Sequence, residues 1–537
     1  MLGKCAGMLY LYGITVKIRM RKSGYGTLPM TTAWRLLRDS FSYSRGSLLS
    51  PALDTLTMGG LGVGFFLFFV IFLPHAADSL HTLFITSFFI FYFVAAPHFA
   101  ASYQIAYGGF VRRVLGGEEG AGTVMRYLWI GLLVPALLLG YAAFSLSHER
   151  ETALRYLGYL VNFMFFVVGW HYIKQVYGCV MVTSALQKIY YDRKERIALL
   201  LPLYALWIGA YAMLNLGVGV EEFIKVPYHS LNLDALALRL FGVAELSVPA
   251  PFPAIVIGPT LNILGFFFYC AMAASFAWLV CVMREKFRRE RRLPPAAAVA
   301  AFVSIYAWMA PVFRDPYFFY LIPYLHAVQY LPFVLARRRN IALAAMRGAP
   351  AAAGGRPGLD MEREERLAAG QLNRLVLAVL VVVPCLLAIE ASFGFFGLVL
   401  RLYDSFDAGL LALGSPFGLA AAIALATWAL YPLGRRLLVM QHPVVRQVCN
   451  FFLWACVLGF AGYYALPKLF EFLVPLGEQY SGWLFLFLFT VLLNIHHYFI
   501  DNVLWKKDNR PVVHYLFSTR QLQAPAVRAA SSRYAHG

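Results

Sequence analysis

The chain is short of charge and has no cysteine in a paired spacing. Only 14% of its 537 residues are charged while 60% are apolar, against roughly 25% charged in an ordinary soluble protein. That balance excludes a soluble single domain, and with it disorder and collagen-like repeats. The seven cysteines show no metal or redox spacing, which excludes a small disulfide scaffold. Cys179, Cys270, Cys281, Cys385 and Cys456 fall in apolar runs, where a thiol acts as a small hydrophobe. No cleavable signal is expected at the start, where Met20 and Met30 are plausible alternative first residues.

What is present is a series of apolar runs of about 20 residues, each long enough to cross a hydrocarbon core of roughly 30 Å as a helix. They fall at 55–74, 81–100, 127–145, 156–182, 197–219, 254–283, 296–313, 317–336, 372–402, 416–433, 447–466 and 482–505. The formal net charge of +19 raises the question of nucleic acid, and the placement of the basic residues answers it. With a cytoplasmic N-terminus, the inner segments hold 37 of the 46 Lys and Arg, the positive-inside pattern. The expected fold is therefore an all-α polytopic bundle of about twelve transmembrane helices with both termini cytoplasmic. Its partners are the bilayer and a lipid-soluble substrate, with no role for nucleic acid.

The chain divides into a basic cytoplasmic segment, 1–54, and eight helices over 55–336. A cytoplasmic linker with a short charged helix follows at 337–371, then four helices over 372–505 and a tail, 506–537. Its Arg and Ala preference points to a bacterial inner membrane.

Five of the 12 histidines lie inside spans: His98, His171, His326 and the adjacent His496 and His497. An ionisable or strongly polar group there is expensive and marks a functional site by default. Their spans, the second, fourth, eighth and twelfth, all run from outside to inside. At about 1.5 Å per residue, His98, His171 and His497 sit roughly 22–25 Å from the outer boundary and His326 roughly 14 Å. Each has a polar companion about one turn further on, where side chains share a helix face. His98 has Ser102, His171 has Gln175, His326 has Gln329 and Tyr330, and His497 has Asp501. Such companions suit the orienting of a metal-bound imidazole, and Asp501 also suits a direct ligand. His496 and His497 point about 100° apart, so two metals, or one ligand and one structural His, fit better than one shared ion. Lys174 in the fourth span and Glu390 in the ninth are rare charges in such a setting and fit a proton path or a buried pair. Ordinary packing glue in a membrane bundle is the competing reading of each histidine.

In the style of its site the sequence resembles the integral-membrane desaturases and hydroxylases, with their His-rich diiron centre near the cytosolic face, and the carotenoid-cleaving membrane oxygenases, which scatter iron-binding histidines over several spans. The His-x-x-His-His boxes of the former are absent, HHYFID being a partial echo, and no family residue is carried over. The haem-copper oxidases share a bundle of this size, but their motif histidines are missing from the sixth span. The resemblance implies a membrane oxidoreductase. Imidazoles with a carboxylate and no thiolate suit Fe, Zn or Cu. Iron is the expected cofactor, with haem or zinc as alternatives, serving a fatty acyl chain or isoprenoid and drawing on an electron-transfer partner at the cytoplasmic side. The alternative from another class is a proton-coupled transporter relaying protons through His171, Lys174, Glu390 and Asp501.

The topology has its own test. Reporter fusions after Arg196, Arg292 and Lys507 are expected to report cytoplasm, and fusions within 221–253 the outside. An external Arg284–Arg292 run would overturn it.

Overall fold

The computed structural model describes residues 39–44, 46–64, 94–116, 120–215, 222–242, 245–247, 260–309, 322–348, 360–393, 442–474, 480, 482–506, 509 and 514–516. The expected span at 416–433, half of that at 55–74 and most of that at 81–100 lie outside these residues. Residues 1–41 form a unit of their own, described only at 39–41, and everything below concerns the second unit, 42–537.

The second unit is built of helices. They are α1 (Pro51–Thr55), α2 (Ala96–Tyr107), α3 (Phe110–Leu115), α4 (Ala121–Leu128), α5 (Val134–Leu146), α6 (Arg150–Leu186) and α7 (Arg193–Leu214). After two short β ladders and α8 (Leu233–Phe241) come α9 (Ile263–Glu290), α10 (Ala296–Met309), α11 (Ile322–Gly348) and α12 (Met361–Phe393). The chain closes with α13 (Pro443–Phe460), α14 (Leu466–Leu473) and α15 (Leu484–Leu504). Single π turns prolong α1 (Leu56–Gly60), join α4 to α5 (Trp129–Leu133) and join α13 to α14 (Ala461–Ala465).

Six helices among the described residues are long and apolar enough to cross a membrane: Ala121–Leu146, Arg150–Leu186, Arg193–Leu214, Ile263–Glu290, Pro443–Leu473 and Leu484–Leu504. The protein is thus consistent with a multi-pass membrane bundle. They correspond to the third, fourth, fifth, sixth, eleventh and twelfth expected spans, and the seventh appears as the shorter apolar helix α10. As far as Phe393, the apolar run at 372–402 continues the charged MEREER stretch in one helix, α12, which runs on through Pro384.

Polar residues fix where these helices start and how they pack. Asp192 caps α7 in a reciprocal box with Glu195, satisfying two otherwise orphaned backbone donors. The same Glu195 carboxylate receives Lys286 Nζ at 3.1 Å and Arg289 from α9. At α13, His442 caps the first turn through Nδ1, with Pro443 at a position where no donor is needed. The main core gathers side chains of α2, α5, α6, α7, α10 and α15, among them Leu157, Val176, Leu203, Phe487 and Ile495.

Where α13 crosses α2, Gly459 removes the side chain that would hold them apart. A Cβ there would stand 2.7 Å from the carbonyl carbon of Ala96, two residues before His98. Gly459→Ala is expected to cost about 1–3 kcal/mol through overpacking, read as a lowered thermal midpoint in detergent. Gly140→Ala, where a Cβ meets nothing within 4 Å, should show no such loss.

Candidate metal centre

Four helices meet at the centre of the bundle and each brings one histidine: His98 on α2, His171 on α6, His326 on α11 and His497 on α15. All four rings are buried, His497 completely. One ligand nitrogen of each lies within 4.8 Å of all the others. His171 Nε2 faces His326 Nε2 at 2.9 Å, and His497 Nε2 faces His98 Nε2 at 3.0 Å. Ring centroids run 5.1 Å from His98 to His326, 4.7 Å to His171, 5.2 Å to His497 and 4.7 Å back to His98, adjacent planes meeting at 68–88°. The imidazoles form a closed ring of four, edges inward.

The contacts at this level repeat one turn on. Ser102 Oγ and Tyr330 OH are 2.8 Å apart across α2 and α11, and Gln175 Nε2 donates to Gln329 Oε1 at 3.1 Å across α6 and α11. Asp501 on α15 adjoins Ser102. Helices whose positions pair at two levels one turn apart in this way run in the same direction.

Ser102, Gln175, Gln329 and Tyr330 hydrogen-bond to one another and to the backbone, not to the imidazoles. Gln175 also donates to His326 O at 3.0 Å, and Gln329 Nε2 donates to Met58 O, in the π turn after α1, at 2.5 Å. The Nδ1 atoms of His98, His326 and His497 have no protein partner. Asp501 is buried, its Oδ2 3.6 Å from His497 Nε2. Neither carboxylate oxygen receives a well-formed hydrogen bond, although Ser102 and Trp505 adjoin it. A buried ionised carboxylate is strongly unfavourable unless it is neutralised, and a cation held by the four imidazoles would neutralise it.

His496 is directed elsewhere. Its Nε2 is 2.6 Å from Ile130 O in the π turn between α4 and α5, and its Nδ1 is 2.8 Å from Tyr103 OH. A carbonyl oxygen only accepts, so Nε2 carries the proton and bare Nδ1 accepts from the phenol. Both nitrogens are occupied, and the ring lies outside the group of four. Lys174 turns toward α7, with Nζ 5.3 Å from the Tyr204 ring centroid. The side chain of Glu390 lies outside the described residues.

The donor set fits a transition metal. In square or octahedral coordination, metal–nitrogen bonds of about 2.0–2.1 Å put adjacent nitrogens about 2.9 Å apart, the spacing of both close pairs here. Four imidazoles with a carboxylate beside them and no thiolate in the group suit a borderline transition ion, not a hard alkaline-earth cation. The walls are aromatic. Phe99 meets His98 and His497 edge to face, with Tyr463 behind it, while Tyr172 and Tyr498 lie against His326 and His171. Phe99 and Tyr463 carry no spacing signal that would single them out in the sequence, since apolar aromatics abound in every span.

Comparison with known protein families, curated proteins and solved structures finds no match, so the centre is read from its own geometry.

Substituting Ala for His98, His171, His326 or His497 is expected to remove bound metal, measured by elemental analysis of the purified chain. His496→Ala should retain the metal while losing about 1–3 kcal/mol of stability from its broken hydrogen bonds. Metal lost equally with His496 would overturn the assignment of its two nitrogens.

Proposed function

We propose that the protein is an integral-membrane metal-dependent oxidoreductase whose centre is a non-haem iron held by His98, His171, His326 and His497. The observation that carries this reading is the convergence of four buried imidazole nitrogens, from four parallel helices, within 4.8 Å. Asp501 is the fifth ligand or the group that orients one, its carboxylate neutralising part of the ion's charge in a medium of low dielectric. Four edges this close leave no room for a porphyrin between them, which disfavours haem. The aromatic enclosure disfavours zinc hydrolysis, which needs a supply of water at the ion.

The chemistry an iron held by these histidines would supply is one-electron redox change and activation of an oxidant. The chain's own residues do the rest. Phe99, Tyr172, Tyr463 and Tyr498 exclude water and present an apolar wall suited to a fatty acyl chain or an isoprenoid entering from the lipid. Electrons come from a donor on the cytoplasmic side. The complete bundle has twelve spans with both termini cytoplasmic, in a bacterial inner membrane.

The test is metal content in full-length protein purified in detergent without chelators. About one equivalent of iron, with an electronic spectrum altered by each His substitution, is the expected result. Less than about one tenth of an equivalent of any transition metal would overturn the reading. Asp501→Asn separates its two roles: loss of metal like the His variants marks a ligand, and a fall of about 10–100-fold in affinity or turnover marks an orienting group.

A further inference from the structure

A buried phenol gives up an electron readily only where its proton has a base to go to. An oxidised phenol is a strong acid, and a cationic radical stranded in an apolar core is poorly solvated. The phenols around the centre differ in this respect. Tyr330 is paired with the Ser102 hydroxyl, and Tyr498 donates to the amide oxygen of Asn494 at 2.9 Å. Neither partner is a base of useful strength. Tyr103 donates to a bare imidazole nitrogen, His496 Nδ1, at 2.8 Å, with a longer contact to Leu493 O at 3.4 Å.

The acceptor is held for that role. Nε2–H of His496 is fixed on Ile130 O at 2.6 Å, so the lone pair that faces Tyr103 cannot exchange tautomers with the other nitrogen without losing a buried hydrogen bond. The pair also stands beside the metal centre. His496 precedes His497 on α15, Tyr103 follows His98 by five residues on α2, and Asp501 lies within electrostatic reach of the phenol.

We propose that Tyr103 and His496 form a proton-coupled redox pair serving the four-histidine centre, with Tyr103 as a one-electron donor that is reversibly oxidised to a neutral phenoxyl radical. The proposal rests on the redox reading of the centre for its oxidant, a transition-metal ion in its oxidised state. In the step, Tyr103 loses one electron to the ion, which is reduced by one. The phenol O–H bond breaks, and an N–H bond forms at His496 Nδ1. The imidazolium keeps its Nε2–H on Ile130 O. The reverse step returns electron and proton together, so Tyr103 ends unchanged and holds one oxidising equivalent meanwhile.

The experiment uses the full chain in detergent with an external one-electron photo-oxidant, a ruthenium polypyridyl complex with a sacrificial acceptor, and reads the phenoxyl signal by EPR and transient absorption. Because the oxidant is external, the reading does not depend on bound metal, which is measured on the same samples. A radical that forms more slowly in D2O than in H2O, disappears in Tyr103→Phe and persists in Tyr330→Phe and Tyr498→Phe is the expected result. His496→Ala should remove it, and added free imidazole should restore it in part. A radical that survives Tyr103→Phe, or none in wild type, overturns the pair even where iron is present. Absence of metal with the radical intact overturns the metal reading and leaves the pair as a redox site without that oxidant.

Discussion

Everything in the bundle answers to one constraint: four imidazole rings turned inward on one another in a place where water does not compensate them. Two nitrogen pairs at 2.9 and 3.0 Å are either shared-proton contacts or the edges of a coordination sphere, and in both cases the helices behind them must be held to within a few tenths of an ångström. The structure does this with close helix crossings. Gly459 lets α13 lie directly on the start of α2, and the ion cluster of Glu195, Lys286 and Arg289 clamps α7 to α9 at the helix ends. Buried polar groups in such a core are favourable only when fully satisfied, which makes the unsatisfied ones informative.

Satisfaction is supplied largely by backbone carbonyls at irregular turns. Of the three π turns named above, two lend an oxygen to a residue beside the centre: Met58 to Gln329 and Ile130 to His496. The third carries Tyr463, which backs Phe99. A π turn interrupts the regular helical ladder and is common at functional sites. Here it explains how long apolar helices, with few side-chain partners to offer, still orient the residues that frame the histidines. Asp501 stands apart as a buried carboxylate without a well-formed hydrogen bond beside four imidazoles.

The sequence reading located the centre because burial of histidine in a span is rare and because crossing direction is countable. His98, His171, His326 and His497 were legible for that reason, but their common level only for three of them: counting from the expected span boundary set His326 roughly 8–11 Å above the others, whereas the packed helices bring all four together. The companions were legible as polar residues but not in their roles. The one-turn offset places Gln175 and Ser102 on the right helix face, yet their partners belong to other helices, and they pair with Gln329 and Tyr330 instead of holding an imidazole. The membrane bundle was legible from hydropathy, whereas the π turns were not, since an inserted residue in a helical ladder leaves no mark on apolar periodicity.

By itself the sequence determined what transfers residue by residue: which stretches prefer hydrocarbon, which loops carry the positive charge, and which helices bear a histidine. Those are sums of local solvation energies and need no knowledge of neighbours. Only the tertiary structure decided between His496 and His497. They are adjacent in sequence and alike in composition, but about 100° of helical rotation sends one ring into the group of four and the other to Ile130 and Tyr103. Which direction on α15 faces the centre is fixed by how the helix packs against α2, α5 and α6, a property of the assembled core.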